Sequence, residues 1–91
     1  MLISRDEINK SIVQYGWNFK NGAITKTFKF DNYMDGIDFV NNVAKIAEKK
    51  NHHPDINVGW CTVKLDISSH DMGGVTTNCI NLAMDIDLQL Q

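Results

Sequence analysis

The sequence is poor in proline and cysteine, and these shortages exclude several classes of protein. One proline and two cysteines in 91 residues do not make a disulfide-rich secreted scaffold. Lys and Arg number 9 against 11 Asp and Glu, so no overall basic field is available for nucleic acid. No apolar run approaches the roughly 20 residues of a membrane span. The first ten residues carry four charged side chains and contain no apolar signal-peptide segment.

The class of protein that these exclusions leave is a small globular protein. The 91 residues fit one domain, which we assign to residues 1–91, and a hydrophobic fraction of 43% argues against disorder. We therefore expect a cytoplasmic protein with no membrane and no nucleic-acid partner. Because a small domain buries only a modest share of its surface, self-association would stabilise it.

The first third of the chain predicts a helix followed by a β-hairpin. A serine-to-glutamate capping box at residues 4–7 starts a helix over about residues 5–15, in which Ile8, Ile12 and Tyr15 recur at helical spacing. Asn21-Gly22 is a strong two-residue turn signal, because both residues tolerate positive φ. Ile24 and Phe28 then point to one face of a strand, which indicates that this face is buried.

A long amphipathic helix is predicted over about residues 32–50, where Pro54 forbids its continuation. Gly36 costs this helix about 1 kcal/mol relative to alanine. Its apolar residues form two neighbouring stripes, wider together than one contact surface requires. The first stripe is Tyr33, Ile37, Val40, Ala44 and Ala47, and the second is Phe39, Val43 and Ile46.

The second half predicts two strands and a last helix. A short strand over 55–57 precedes a clear strand in which residues 61, 63, 65 and 67 are apolar. Thr76 or Thr77 caps the last helix, whose main stripe is Cys79, Ala83, Ile86 and Leu90. The order α-β-β-α-β-β-α predicts a two-layer α+β fold, with a four-stranded antiparallel sheet and three helices on one of its faces.

The three histidines are the chemically informative residues. His52 and His53 follow the long helix, and His70 follows the main strand. If the strand over 55–57 runs away from this loop and the main strand returns, the imidazoles meet at one edge of the sheet. Imidazole titrates near neutral pH, so such a cluster suits general acid/base catalysis.

The residues alone leave three interpretations open. Adjacent histidines in a loop are often only solvated polar side chains. A zinc site is the second possibility, with His52, His53, His70 and either Cys79 or Cys61 as ligands, although this spacing fits no standard zinc pattern. The third possibility is that neighbouring imidazolium charges split the pKa values and assign acid and base roles.

The ordered motifs closely resemble the pterin-4a-carbinolamine dehydratases. They comprise Glu48-Lys49-Lys50-Asn51-His52-His53-Pro54, then Trp60, His70, Gly73-Gly74-Val75-Thr76 and Leu82-Ala83. The resemblance extends back to Trp17 and covers nearly the whole chain. It implies the same α-β-β-α-β-β-α fold and dehydration of 4a-hydroxytetrahydropterins to quinonoid dihydropterins. Such an enzyme uses no metal and no organic cofactor, and it recycles the pterin of aromatic amino-acid hydroxylases.

By the same resemblance, His52, His53 and His70 are the catalytic residues. The residues that the resemblance assigns to the pterin pocket are Asn51, His52, His53, Ser68, Ser69, His70 and Asp71. Glu48, one helical turn before the loop, is expected to orient a histidine or stabilise an imidazolium. Trp60 forms either a pocket wall or core packing, and we expect it in the core.

One position departs from the family pattern. Cys79 stands where the family commonly has an aspartate early in the last helix. With Thr76 as the N-cap, this residue occupies the reciprocal position of a capping box. Two roles for the family aspartate are therefore open: it caps the helix, or it orients a catalytic histidine. On the second account, cysteine would lower activity. A small buried cysteine on the helix stripe and a reactive thiol are both consistent with the sequence.

The resemblance also implies partners. Family members form dimers and tetramers, so we expect a homodimer or homotetramer that takes a small-molecule pterin substrate. Some animal relatives serve as dimerisation cofactors for a homeodomain transcription factor. The alternative function is thus a non-catalytic binding module for a protein partner, and a further possibility is a protein that has kept the fold but lost the substrate.

Overall fold

A computed structural model describes residues 2–12 and 15–90, without the side chain of Ser11. The secondary structure follows the predicted order α-β-β-α-β-β-α. The elements are α1 (Arg5–Ile12), β1 (Asn18–Lys20), β2 (Ala23–Lys29), α2 (Tyr33–Lys50), β3 (Asp55–Val58), β4 (Thr62–Ile67) and α3 (Thr77–Leu88). The α+β fold class is therefore confirmed, and none of the described helices is long and apolar enough to cross a membrane.

The four strands form one antiparallel sheet in the order β1-β2-β4-β3. The hairpin signal at residues 21–22 is confirmed. Asn21 has φ 53° and Gly22 has φ 77°, and Lys20 pairs with Ala23 across the two-residue turn. Such a turn matches the right-handed twist of the flanking strands and fixes their register.

Side chains alternate between a covered and an uncovered face of the sheet. Val63, Leu65 and Ile67 of β4 are buried, whereas the alternating residues Thr62 and Lys64 are exposed and Asp66 is only partly buried. Because successive strand residues point to opposite faces, the helices cover one face only. The core thus lies between this face and the apolar residues of the three helices.

The first helix begins as predicted, with Ser4 Oγ accepting the backbone N–H of Glu7 at 3.2 Å. Ile8 and Ile12 of its stripe are buried. The helix is described over Arg5–Ile12, and residues 13–14, which the prediction of a helix over about 5–15 includes, lie outside the described residues. Tyr15, the last position of the predicted stripe, is 46% exposed.

The second helix has the predicted length, but its stripes are not equally buried. Asn32 caps it by accepting the Asp35 backbone N–H at 2.8 Å. Phe39 and Val43 of the second stripe are buried, and Ile46 is partly buried. Ala47 of the first stripe and Gly36 are buried beside them. Most of the first stripe lies along the margin: Ile37 and Val40 are partly buried, and Tyr33 and Ala44 are exposed.

The N-cap of the last helix is Thr76, one of the two residues predicted for this role. Cys79, Ala83 and Ile86 of its main stripe are buried, together with Leu82. Leu90, predicted on the same stripe, is 50% exposed because the helix ends at Leu88.

Candidate functional site

The histidine pair is positioned by the end of α2. Asn51 adopts the left-handed conformation, with φ 50° and ψ 44°. Its backbone N–H donates to the Glu48 carbonyl at 3.2 Å, and the His52 N–H donates to the Ala47 carbonyl at 3.1 Å. These two hydrogen bonds form a Schellman cap, in which the carbonyl groups at the end of the helix find hydrogen-bond donors. The predicted pocket residue Asn51 thereby turns the chain and fixes the backbone of His52.

The imidazole of His52 contacts α3. Its Nε2 lies 3.2 Å from Sγ of Cys79, a residue with no exposed surface. The same sulfur accepts the backbone N–H of Thr76 at 3.4 Å and lies 3.5 Å from Thr76 Oγ1. The expectation of a small buried cysteine at the capping-box position is confirmed, and its sulfur also joins the histidine loop to the start of α3.

His53 points away from this contact and pairs with Glu48. Its Nε2 lies 2.6 Å from Oε2 of Glu48, and the two side chains are 53% and 77% exposed. At this separation the carboxylate fixes the orientation of the His53 ring. Among the predicted roles of Glu48, the structure therefore shows contact with a histidine, and that histidine is His53 rather than His52.

The loop after β4 carries the third histidine. Ser69 anchors this loop, because its N–H donates to the Gly74 carbonyl at 2.6 Å and its Oγ accepts the Met72 N–H at 3.2 Å. Gly73, at φ 72°, supplies the left-handed turn. Of the other predicted residues, Ser68 is partly buried, whereas His70 and Asp71 are exposed.

The sheet brings the two histidine loops to the same end. Asp55 at the start of β3 pairs with Asp66 near the end of β4, so the segments that precede β3 and follow β4 are neighbours. The pKa of His52 is lowered from 6.5 by burial, and further by the nearby charges of His70 and His53. Each of these causes disfavours the imidazolium of His52, so the folded protein favours the neutral form of this ring.

His52 also lines a small polar cavity with Lys50, Asn78 and Asn81. Lys50 forms an ion pair with Asp85 at 2.7 Å, which joins the ends of α2 and α3 beside this cavity. The sequence analysis did not identify the two asparagines. Their only sequence signal is a spacing of three on the exposed side of the last helix.

Two further expectations have structural outcomes. Trp60 is 81% exposed, so the expectation that it packs in the core is wrong. It lies in the loop between β3 and β4, where the Gly59 N–H donates to the Thr62 carbonyl at 2.8 Å. In residues 2–12 and 15–90, no three His, Cys, Asp or Glu side chains are placed to hold one metal ion. The zinc alternative therefore has no preformed ligand set in this part of the chain.

Comparison with known proteins identifies the family. The model of the family "Pterin 4 alpha carbinolamine dehydratase" matches residues 1–89. The chain belongs to this family.

Relatives and solved structures span nearly the same length. A Mycobacterium avium protein is 44% identical over 72 residues, covering 79% of this chain and 77% of its own. A Mycolicibacterium smegmatis protein is 37% identical over 87 residues, covering 94% and 93%. Both bear the name pterin-4-alpha-carbinolamine dehydratase as a provisional assignment.

Two solved structures share the dehydratase fold. A transcriptional coactivator/pterin dehydratase from Brucella melitensis superimposes with TM-score 0.90 at 27% identity, over 97% of both chains. A pterin dehydratase-like protein described as a RuBisCO assembly factor of the α-carboxysome has TM-score 0.70 at 21% identity, covering 80% of this chain and 87% of its own. The second similarity concerns the fold alone.

Proposed function

We propose that this protein is a lyase that dehydrates a 4a-hydroxytetrahydropterin to the quinonoid dihydropterin and water. The observation that carries the proposal is the cluster of His52, His53 and His70, in which burial and neighbouring charge keep His52 unprotonated near neutral pH. Membership of the dehydratase family supports the choice of substrate class.

The reaction needs one proton delivered and one removed. The C4a–O bond breaks as the hydroxyl takes up a proton and leaves as water. N5 loses its proton, and the electron pair of that bond forms the N5=C4a double bond. His52, with its lowered pKa, accepts the N5 proton, and His70 protonates the departing hydroxyl. His53, held by Glu48, assists in positioning the ring.

The remaining predicted pocket residues shape the site. Ser69 holds the loop of His70 through its bonds to Met72 and Gly74. We assign Ser68, Asp71 and Asn51 to the same pocket, where backbone groups contribute part of the binding. No cofactor takes part in this reaction, and we place the protein in the cytoplasm.

The test is the rate of loss of synthetic 4a-hydroxytetrahydropterin above its spontaneous decay. We expect His52→Ala and His70→Ala each to lower kcat by about 100- to 10,000-fold, the usual contribution of a general acid or base. Thr27→Ala, at an exposed position of β2, is the matched control and should retain full activity. Full activity in either histidine variant would contradict the assignment, and no acceleration by the unmodified protein would reject the lyase.

The second candidate function is a binding module, and exposed apolar side chains favour it. Tyr33 and Met34 at the start of α2 are 47% and 61% exposed, and Trp60 is 81% exposed. Such side chains suit an interface. We propose that their partner is a second copy, in a homodimer or homotetramer, rather than a transcription factor. Size-exclusion chromatography with light scattering tests this, and a monomer at micromolar concentration would contradict it.

A further inference from the structure

The sulfur of Cys79 has three polar neighbours in a fully covered position. Nε2 of His52 lies at 3.2 Å, the backbone N of Thr76 at 3.4 Å and Oγ1 of Thr76 at 3.5 Å. A residue that only filled space on the stripe of α3 would need none of these contacts. Their convergence indicates that the sulfur has a task beyond packing.

We propose that Cys79 is a positioning residue for His52. Its sulfur forms a hydrogen bond with Nε2 of His52. Nδ1 is therefore the nitrogen that exchanges a proton with the substrate. This inference rests on the proposed dehydratase function, because it specifies which atom of His52 acts there.

The geometry of imidazole makes this contact decisive. Each ring nitrogen offers a single in-plane direction for a hydrogen or a lone pair. With Nε2 engaged by sulfur, only Nδ1 remains. In the form that accepts a proton at Nδ1, Nε2–H donates to Sγ of Cys79 and the thiol hydrogen is directed to Thr76 Oγ1.

The support of the sulfur is rigid. Cys79 lies in the first turn of α3, and its backbone N–H donates to the Thr76 carbonyl at 3.0 Å. Ala83 and Ile86 on the same side of the helix are buried, which fixes α3 against the sheet. A side chain held by a rigid element can limit a catalytic group to a narrow range of orientations.

The chemical nature of the partner also matters. The groups that face His52 are the thiol of Cys79 from α3, the imidazoles of His53 and His70, and Lys50 beside the cavity. A thiol brings no negative charge while it is protonated, whereas a carboxylate in its place would favour the imidazolium. Cys79 therefore orients His52 without converting it from a base into an acid.

A first experiment needs no substrate. Nuclear magnetic resonance of ¹⁵N-histidine-labelled protein should show an Nε2–H signal of His52 that exchanges slowly with water. We expect Cys79→Ser to retain this signal and Cys79→Ala to lose it, with circular dichroism confirming that each variant is folded. Cys61→Ser is the matched control, because Cys61 precedes β4 at the end opposite to His70. A signal that persists in folded Cys79→Ala, or that is absent in the unmodified protein, would overturn the inference.

A second experiment measures the reaction. Cys79→Ala should lower kcat by up to about 100-fold, the cost of a small misplacement of a reacting group, with KM little changed. Cys79→Ser should retain most of the kcat of the unmodified protein. Cys79→Asp should raise the pKa of His52 and shift the acid limb of kcat/KM to higher pH. An unshifted limb with an unchanged histidine titration would contradict the charge argument. If the unmodified protein shows no dehydration, the proposed function fails, whereas the magnetic resonance result still decides the contact.

Discussion

The indole Nε1 of Trp17 donates a hydrogen bond to Oδ2 of Asp87 at 2.9 Å, although 70 positions separate the two residues. The other oxygen of this carboxylate accepts Lys26 Nζ at 2.8 Å, and the ammonium also donates to the Tyr15 carbonyl at 2.7 Å. Lys26 and Asp87 are only 23% and 15% exposed. One carboxylate thus links α3, β2 and the segment before β1.

Removing the lysine should destabilise the fold. Lys26→Met leaves the Asp87 carboxylate without its cation, and we expect a loss of about 1–3 kcal/mol in the free energy of unfolding. Urea denaturation measures it. Lys29→Met, at an exposed position of the same strand, is the control and should stay within about 0.5 kcal/mol. Equal stability of the two variants would show that the pair contributes nothing.

A glycine inside α2 offers a stabilising substitution. A Cβ at Gly36 would lie 3.5 Å from Phe30 Cδ2 and Val63 Cγ2, an ordinary van der Waals distance. Gly36→Ala should therefore gain up to about 1 kcal/mol through helix propensity. Gly59→Ala is the contrasting variant, because its Cβ would lie 2.6 Å from Thr62 Oγ1. Thermal denaturation should show opposite shifts of Tm, and a lower Tm for Gly36→Ala would contradict the prediction.

The Glu48–His53 pair should matter for activity more than for stability. Both side chains are more than half exposed, and exposed ion pairs contribute about 0–1 kcal/mol. Glu48→Gln should therefore leave urea denaturation nearly unchanged while lowering kcat, because the ring of His53 loses its charged partner. Glu7→Gln, in α1, controls for the general loss of a carboxylate. Unchanged kinetics in Glu48→Gln would remove Glu48 from the site.

Stability should depend on pH through His52. Its pKa in the folded protein is lowered from 6.5 by burial and then by His70 and His53. The unfolded chain therefore binds this proton more readily, so the contribution of His52 to stability is present above pH 6.5 and is lost as the pH falls toward its folded pKa. His52→Gln should lose less stability than the unmodified protein between pH 7.5 and about pH 5. Parallel pH dependences would contradict this.

The order and type of the elements could be predicted from local signals. The Asn21-Gly22 turn, the Asn32 cap and the alternation in β4 each depend on residues close in sequence. Local signals failed where burial depends on distant elements. Trp60 has a large apolar side chain typical of a core residue, but it is exposed because it lies outside the face that the helices cover. Lys26 lies on the covered face with Ile24 and Phe28, because the distant carboxylate of Asp87 accepts a hydrogen bond from its ammonium group.

Periodicity, caps and turns act over a few residues, and these local signals specify the α+β architecture and the placement of His52, His53 and His70 in two loops. The partners of these side chains depend instead on the tertiary packing. The antiparallel return of β4 beside β3 places the two loops at one end of the sheet. The packing of α3 then gives His52 the sulfur of Cys79, and the end of α2 gives His53 the carboxylate of Glu48. Contacts across 27 positions depend on how the elements pack, which no local pattern encodes.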